Sequence, residues 1–97
     1  MIAKSLSHLF RSEKFKKLLK SYKVKRIAIF GSYARGENKK KSDVDFLVEF
    51  DKRADLLDQI GLKQDLEELL KKEIDVVTPR SLNAHIRQKI LNEAVYL

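Results

Sequence analysis

The sequence contains no cysteine and no tryptophan, and only one proline and three glycines among its 97 residues. Without cysteine there is no disulfide, no thiol nucleophile and no Cys-containing zinc site, so stability has to come from packing. No linker, repeat or low-complexity tract breaks the chain. No apolar run approaches the roughly 18–20 residues of a membrane span, and Met1-Ile2-Ala3-Lys4-Ser5 leads into no signal-peptide pattern. A cytoplasmic protein with no membrane contact is expected. Aromatic residues make up only 8% of the chain, and none of the strands carries the aromatic-rich motif of an RNA-binding sheet, which speaks against direct nucleic-acid binding. The two histidines, His8 and His85, lie far from each other and from every motif of the chain, and read as surface residues.

What is present is charge and a modest apolar content: 36% charged and 43% hydrophobic residues, a balance that suits one folded domain over residues 1–97. A chain of this size buries about 60–65% of the surface its unfolded form exposes, enough for a single small core. The formal net charge of +7 is unevenly spread. Residues 1–41 hold 13 Lys and Arg against 2 acids, residues 42–75 hold 5 against 11, and residues 76–97 hold 3 against 1. A basic first part runs into an acidic middle, and that asymmetry calls for a local cause.

Apolar residues at Ile2, Leu6, Leu9 and Phe10, then at Phe15, Leu18, Leu19 and Tyr22, follow helical spacing. Ser12 and Glu13 leave two options there, one bent helix or two short ones. Arg26-Ile27-Ala28-Ile29-Phe30 reads as a buried strand ending at Gly31. Residues 43–50 alternate as a second strand, with Val44, Phe46, Val48 and Phe50 on one face and Asp43, Asp45, Leu47 and Glu49 on the other. Leu56, Ile60, Leu66, Leu69 and Leu70 predict a helix over 55–72, with Gly61 a weak point inside it. Residues 73–78 form a third strand stopped by Pro79. Leu82, Ile86, Ile90, Ala94 and Val95 mark a closing helix with Ser81 as its candidate cap. The resulting order is a two-layer α+β domain: a small three-stranded sheet with helices covering one face.

Aspartate is depleted in strands, and a carboxylate facing a core costs several kcal/mol unless it is paired or binds a cation. Asp43 and Asp45 leave the same face of one strand, and Asp75 joins them if its strand is the neighbour. Converging carboxylates are relieved by a divalent ion with oxygen ligands, Mg²⁺ or Mn²⁺. The same spacing also suits a solvent-facing strand that merely carries acids. Gly31-Ser32 directly after a buried strand, closed by Arg35-Gly36, lets backbone N–H groups approach an anion. On its own this turn also suits any strand-to-helix corner, and it matches neither the P-loop nor G-x-G-x-x-G.

Taken together, Phe30-Gly31-Ser32-Tyr33-Ala34-Arg35-Gly36, Ser42-Asp43-Val44-Asp45-Phe46-Leu47-Val48 and Ile74-Asp75-Val76-Val77 resemble the signature of the DNA polymerase β-like nucleotidyltransferases. Chain length and the A-R-G and S-D-x-D details resemble, more narrowly, the minimal nucleotidyltransferases (MNT) encoded beside HEPN-domain partners. The resemblance covers about residues 12–95. It implies a polymerase β-like fold with a small mixed sheet, in which Asp43 and Asp45 hold two Mg²⁺ ions. Asp75 would share one ion and help activate the acceptor hydroxyl, and Gly31 and Ser32 would bind the phosphates of ATP. Arg35 has two readings, a phosphate contact or an ion pair with a nearby carboxylate. Ser42 reads as a strand opener or a bond beside the metal site, and Lys39-Lys40-Lys41 as a solvated loop or a cationic guide for ATP. Glu49 lies on the aspartate face beyond the expected metal position.

The function implied by the resemblance is transfer of AMP from ATP to a hydroxyl, a tyrosine of a HEPN toxin in that family, making the chain the antitoxin of a type VII-like toxin–antitoxin module. Two alternatives stand beside it. One is nucleotidyl transfer to a small molecule or RNA together with a partner subunit, and the other is a non-catalytic protein that masks a toxin through exposed apolar patches.

Overall fold

The computed structural model describes residues 4–37 and 43–97. Ser42 and Lys39-Lys40-Lys41 fall outside the described residues. Two short helices open the chain, α1 (Lys4–Phe10) and α2 (Glu13–Ser21). Ser12 separates them: its hydroxyl donates to the Leu9 carbonyl at 2.6 Å and accepts from the Phe15 N–H at 3.2 Å. This joint closes one helix and caps the next, which settles the choice left by the spacing in favour of two helices.

Strand β1 (Val24–Phe30) comes next, then a single helical turn, α3 (Ser32–Arg35), strand β2 (Val44–Phe50), helix α4 (Leu56–Leu70) and strand β3 (Ile74–Val77). A 3₁₀ turn at Pro79–Ser81 leads to α5 (Ala84–Glu93) and a two-residue strand, β4 (Val95–Tyr96). The sheet order is β3-β2-β1-β4. Strands β1 and β2 are antiparallel, β2 and β3 parallel, and β4 is antiparallel to β1. The parallel pair is made possible by α4, which carries the chain back across the sheet.

The structure corrects three expectations. The sheet has a fourth strand, because Val95 and Tyr96 leave the closing helix and pair with Ile29 and Ala28. That helix is capped by Asn83, whose side chain accepts from the Ile86 N–H, while Ser81 belongs to the preceding turn. Strand β2 begins at Val44, so Asp43 stands just before it.

The alternation in β2 divides the molecule. Val44, Phe46 and Val48 are fully buried, paired in register with Ile74, Val76, Ile29 and Ile27 on the same face. Against them pack Phe10 and Phe15, Tyr33, and Leu62, Leu66 and Leu70 at every fourth residue of α4. Leu62 is completely buried, whereas Leu56 and Leu57 are 70% and 75% exposed. The apolar residues of the first turn of α4 therefore lie outside the core.

Gly61 is explained by a neighbour. A Cβ there would lie 2.5 Å from Cε1 of Tyr22, whose ring crosses α4 at this point and whose hydroxyl donates to Asp65. The weak point in the helix is thus a seat for an aromatic ring. Asp55 and Asp58 form a reciprocal cap at the start of α4, and Asp58 also accepts from the Lys23 ammonium at 3.1 Å. Among the described residues no helix is long and apolar enough to cross a membrane.

Candidate active site

The second face of the sheet carries the acids. Asp45 and Asp75 are register partners across the parallel β2–β3 pair, and Leu47 and Val77 are the next partners on that face. Side chains opposite one another on neighbouring strands project together from strands about 4.8 Å apart. Two carboxylates distant in sequence are thereby placed side by side by topology. Asp43, Asp45 and Asp75 line one open cavity of about 430 Å³, with Glu67 and Glu73 adding further carboxylates and Lys63 a cation.

Asp45 is half-buried and Asp75 exposed. The Asp45 carboxyl is pushed above its ordinary range by burial first, then by the negative charges of Asp75 and Asp43, with Arg35 pulling the other way. Either a proton or a nearby cation relieves a carboxylate in this state. Among the described residues, no set of three His, Cys, Asp or Glu side chains stands ready to hold a metal ion.

The turn after β1 is built to meet Asp45. Gly31 has φ +76° and ψ −153°, a backbone region that is essentially closed to residues with a side chain. A Cβ at position 31 would also collide with the Asp45 carboxylate. Glycine is needed here twice, for its torsion angles and for the space it leaves. The short helix that comes after it ends at Gly36, again left-handed at φ +73°, whose N–H returns to the Ser32 and Tyr33 carbonyls. Tyr33 points the opposite way from the acids, into the core at 2% exposure.

Arg35 is exposed and engaged with acids on two sides. Its Nε donates to Glu37 at 3.3 Å, and its Nη1 donates to Glu93 at 3.1 Å. Glu93 also accepts the Gly31 N–H at 3.1 Å. Of the two readings of Arg35, the ion pair is the one present in this structure. Glu49 is committed elsewhere, to Arg26 at 2.5 Å.

A larger cavity, about 480 Å³, opens at the other end of β2 among Lys25, Lys52, Thr78 and Arg80. Its acids, Glu49 and Asp51, are held by Arg26 and Arg53. Size favours this cavity, but the chemistry favours the smaller one, where the carboxylates cluster. Sequence reasoning missed Glu93, Glu67 and Glu73 as neighbours of the site. Glu93 is the one acid in residues 76–97, yet no spacing ties it to Gly31, since a tertiary fold alone brings α5 there.

Residues 12–97 match the family model described as a nucleotidyltransferase domain. A Methanocaldococcus jannaschii protein with the provisional name of protein adenylyltransferase is 53% identical over 78 residues, covering 80% of this chain and 84% of its own. Protein adenylyltransferase MntA of Thermococcus cleftensis is 44% identical over 82 residues, 84% of this chain and 83% of its own. Among solved structures, one described as a minimal nucleotidyltransferase superposes with a TM-score of 0.85 at 38% identity, over 100% of this chain and 97% of that one. A toxin–antitoxin structure with AMP-PNP gives a TM-score of 0.71 at 29% identity, over 86% and 68% of the two chains. A tri-AMPylated HEPN toxin of Shewanella oneidensis in complex with its MNT antitoxin gives 0.62 at 27% identity, over 86% and 65%.

Proposed function

The chain belongs to the nucleotidyltransferase-domain family, among its minimal members, and from that premise we propose that it is a metal-dependent protein adenylyltransferase. Its substrates are ATP and a hydroxyl, a tyrosine, of a HEPN-type toxin that it neutralises by adding AMP. The observation that carries this reading is the pairing of Asp45 with Asp75 next to a glycine whose missing Cβ makes room for the Asp45 carboxylate. A protein that only masked a toxin needs none of these features.

The donor set fits a hard cation. All the candidate ligands are carboxylate oxygens, and Mg²⁺ is commonly held by one or two carboxylates plus the oxygens of a bound phosphate group. Asp43, Asp45 and Asp75 would hold it, and a bound ion would supply positive charge against the reacting phosphate.

In the reaction, the acceptor oxygen attacks the α-phosphorus of ATP. A new O–P bond forms, the bond between the α-phosphorus and the bridging oxygen breaks, and pyrophosphate leaves with the electron pair. The acceptor proton passes to the Asp75 carboxylate, which is exposed to an incoming hydroxyl. Gly31 and Ser32 present backbone N–H groups to the β- and γ-phosphates.

The test uses ATP labelled at the α-phosphate, Mg²⁺ and a HEPN-type toxin sought in the reading frame adjacent to that of this chain. The expected result is α-label on a toxin tyrosine, no transfer of γ-label, and loss of transfer in Asp45→Ala. Absence of α-label on the toxin, or undiminished transfer by Asp45→Ala, overturns the reading.

A further inference from the structure

One carboxylate in the structure is bound to the turn that the proposed function assigns to phosphate. Glu93, the last residue of α5, accepts the Gly31 N–H at 3.1 Å through Oε1. Its two oxygens also take Arg35 Nη1, at 3.1 Å for Oε2 and 3.4 Å for Oε1. A backbone N–H at a glycine and a guanidinium are the two kinds of donor that phosphate oxygens use, and a carboxylate is the side-chain group closest to phosphate in charge and hydrogen-bonding pattern.

The C-terminal residues hold Glu93 in this position. Val95 and Tyr96 pair with Ile29 and Ala28, and the Leu97 N–H donates to the Ile27 carbonyl at 3.0 Å. They thus run along β1, the strand that leads into Gly31, and tie down the segment that follows α5. The attachment is short and open to solvent, with Val95 and Tyr96 40% and 50% exposed. Glu93 also brings another negative charge to Asp45, alongside those of Asp75 and Asp43.

We infer that Glu93 is a built-in competitor of the nucleotide: its carboxylate occupies Gly31 and Arg35 in the free protein and has to leave before a triphosphate can take them. This rests on the reading of Gly31 and Ser32 as the phosphate-binding turn, with Arg35 as a phosphate contact once Glu93 has left it. Glu93 does not take part in the chemistry. It lowers the affinity for ATP by holding the protein in a form that does not bind it, and a form populated nine times in ten weakens apparent binding about tenfold.

The experiment is calorimetric titration of the full-length protein with ATP and Mg²⁺, and separately with AMP, for the wild type, E93A, E93Q and E37Q. Melting curves of all four check that each is folded. The expected result is ATP binding about tenfold tighter in E93A and tightened to a smaller degree in E93Q, which keeps an acceptor for Gly31 but no charge. AMP lacks the β- and γ-phosphates, so its affinity is unchanged. E37Q removes another partner of Arg35 without freeing Gly31 and leaves ATP affinity close to that of the wild type.

Equal or weaker ATP binding by folded E93A, with the wild type binding normally, overturns the competitor role and leaves the enzymatic reading standing. Equal tightening by E37Q overturns it too, because the gain then reflects net charge alone. If neither the wild type nor any folded variant binds ATP, the adenylyltransferase reading fails, and the competitor role with it.

Discussion

The carboxylate of Asp45 lies in the space that a side chain on Gly31 would fill. The glycine directly follows β1 and the acid lies in β2, its antiparallel neighbour, with Asp45 opposite Phe30 in register. Each constrains the other: the glycine must stay bare for the acid to sit where it does.

Gly31→Ala should therefore damage stability and activity together. Forcing a Cβ into a glycine-only backbone region costs about 1–3 kcal/mol, and the collision displaces Asp45 as well. For a domain of this size each kcal/mol lowers Tm by roughly 4–8 °C. A thermal melt followed by circular dichroism, run beside the α-label transfer assay, checks both effects. Unchanged transfer by the alanine variant would contradict this fit between the two residues.

Asp45→Asn should separate the two properties. Burial and the charges of Asp75 and Asp43 disfavour the ionised Asp45, so a neutral amide of the same shape raises Tm in metal-free buffer. Adenylyl transfer should fall on the order of 10³-fold, because the proposed cation site loses a ligand and with it several kcal/mol of transition-state stabilisation. A variant that is less stable than the wild type under metal-free conditions would show that hydrogen bonding by the carboxylate outweighs its repulsion.

Gly61→Ala reverses a familiar sign. In an exposed helix interior the change stabilises by about 1 kcal/mol. Here the new methyl meets the Tyr22 ring at 2.5 Å, so the variant should melt below the wild type. In a Tyr22→Ala background the ring is gone and the same substitution should become stabilising. The cycle of four melting curves measures the coupling directly.

Asp58 should give stability a pH dependence at the acid end. Its carboxyl is held below the ordinary value by the Asp55 N–H first and by the Lys23 ammonium second. A depressed carboxylate contributes stability above its unfolded pKa, and that contribution is lost as pH falls through the folded one. Wild type should therefore melt above Asp58→Asn at neutral pH, and the two curves should converge below the ordinary aspartate value of 3.8. A gap in Tm that stays constant down to strongly acidic pH would assign the effect to cap geometry alone.

The strands that hold the site were legible because their alternation is strict. Val44, Phe46 and Val48 could face only inward, which fixed Asp45 outward. The parallel neighbour was legible only as a condition, since nothing in Ile74-Asp75-Val76-Val77 states which strand it joins. The closing helix ends earlier than its pattern suggests because Ala94 and Val95 keep apolar spacing. Pairing with β1 decides their conformation, and that is a tertiary effect. Helix α4 shows the reverse case. Leu56 and Ile60 fit the helical period but lie off the core face, and Leu62, absent from the apolar pattern, is buried at its centre. Glu93 could not be found from local signals at all, because its meaning depends on a turn more than sixty residues earlier.

The parallel register of Asp45 with Asp75 also governs how the protein comes into being. These two residues are joined by a chain that runs through α4 and meet only where β3 pairs with β2, a non-local contact that closes slowly compared with a hairpin. A chain that has made β1 and β2 alone has the first carboxylates and the glycine turn but not the partner strand. The paired carboxylates of the proposed site therefore exist only in a chain whose parallel strand pair, and the core around Phe46 and Val76, is in place. Loss of activity on heating should track loss of the native core, with no partly folded species left working.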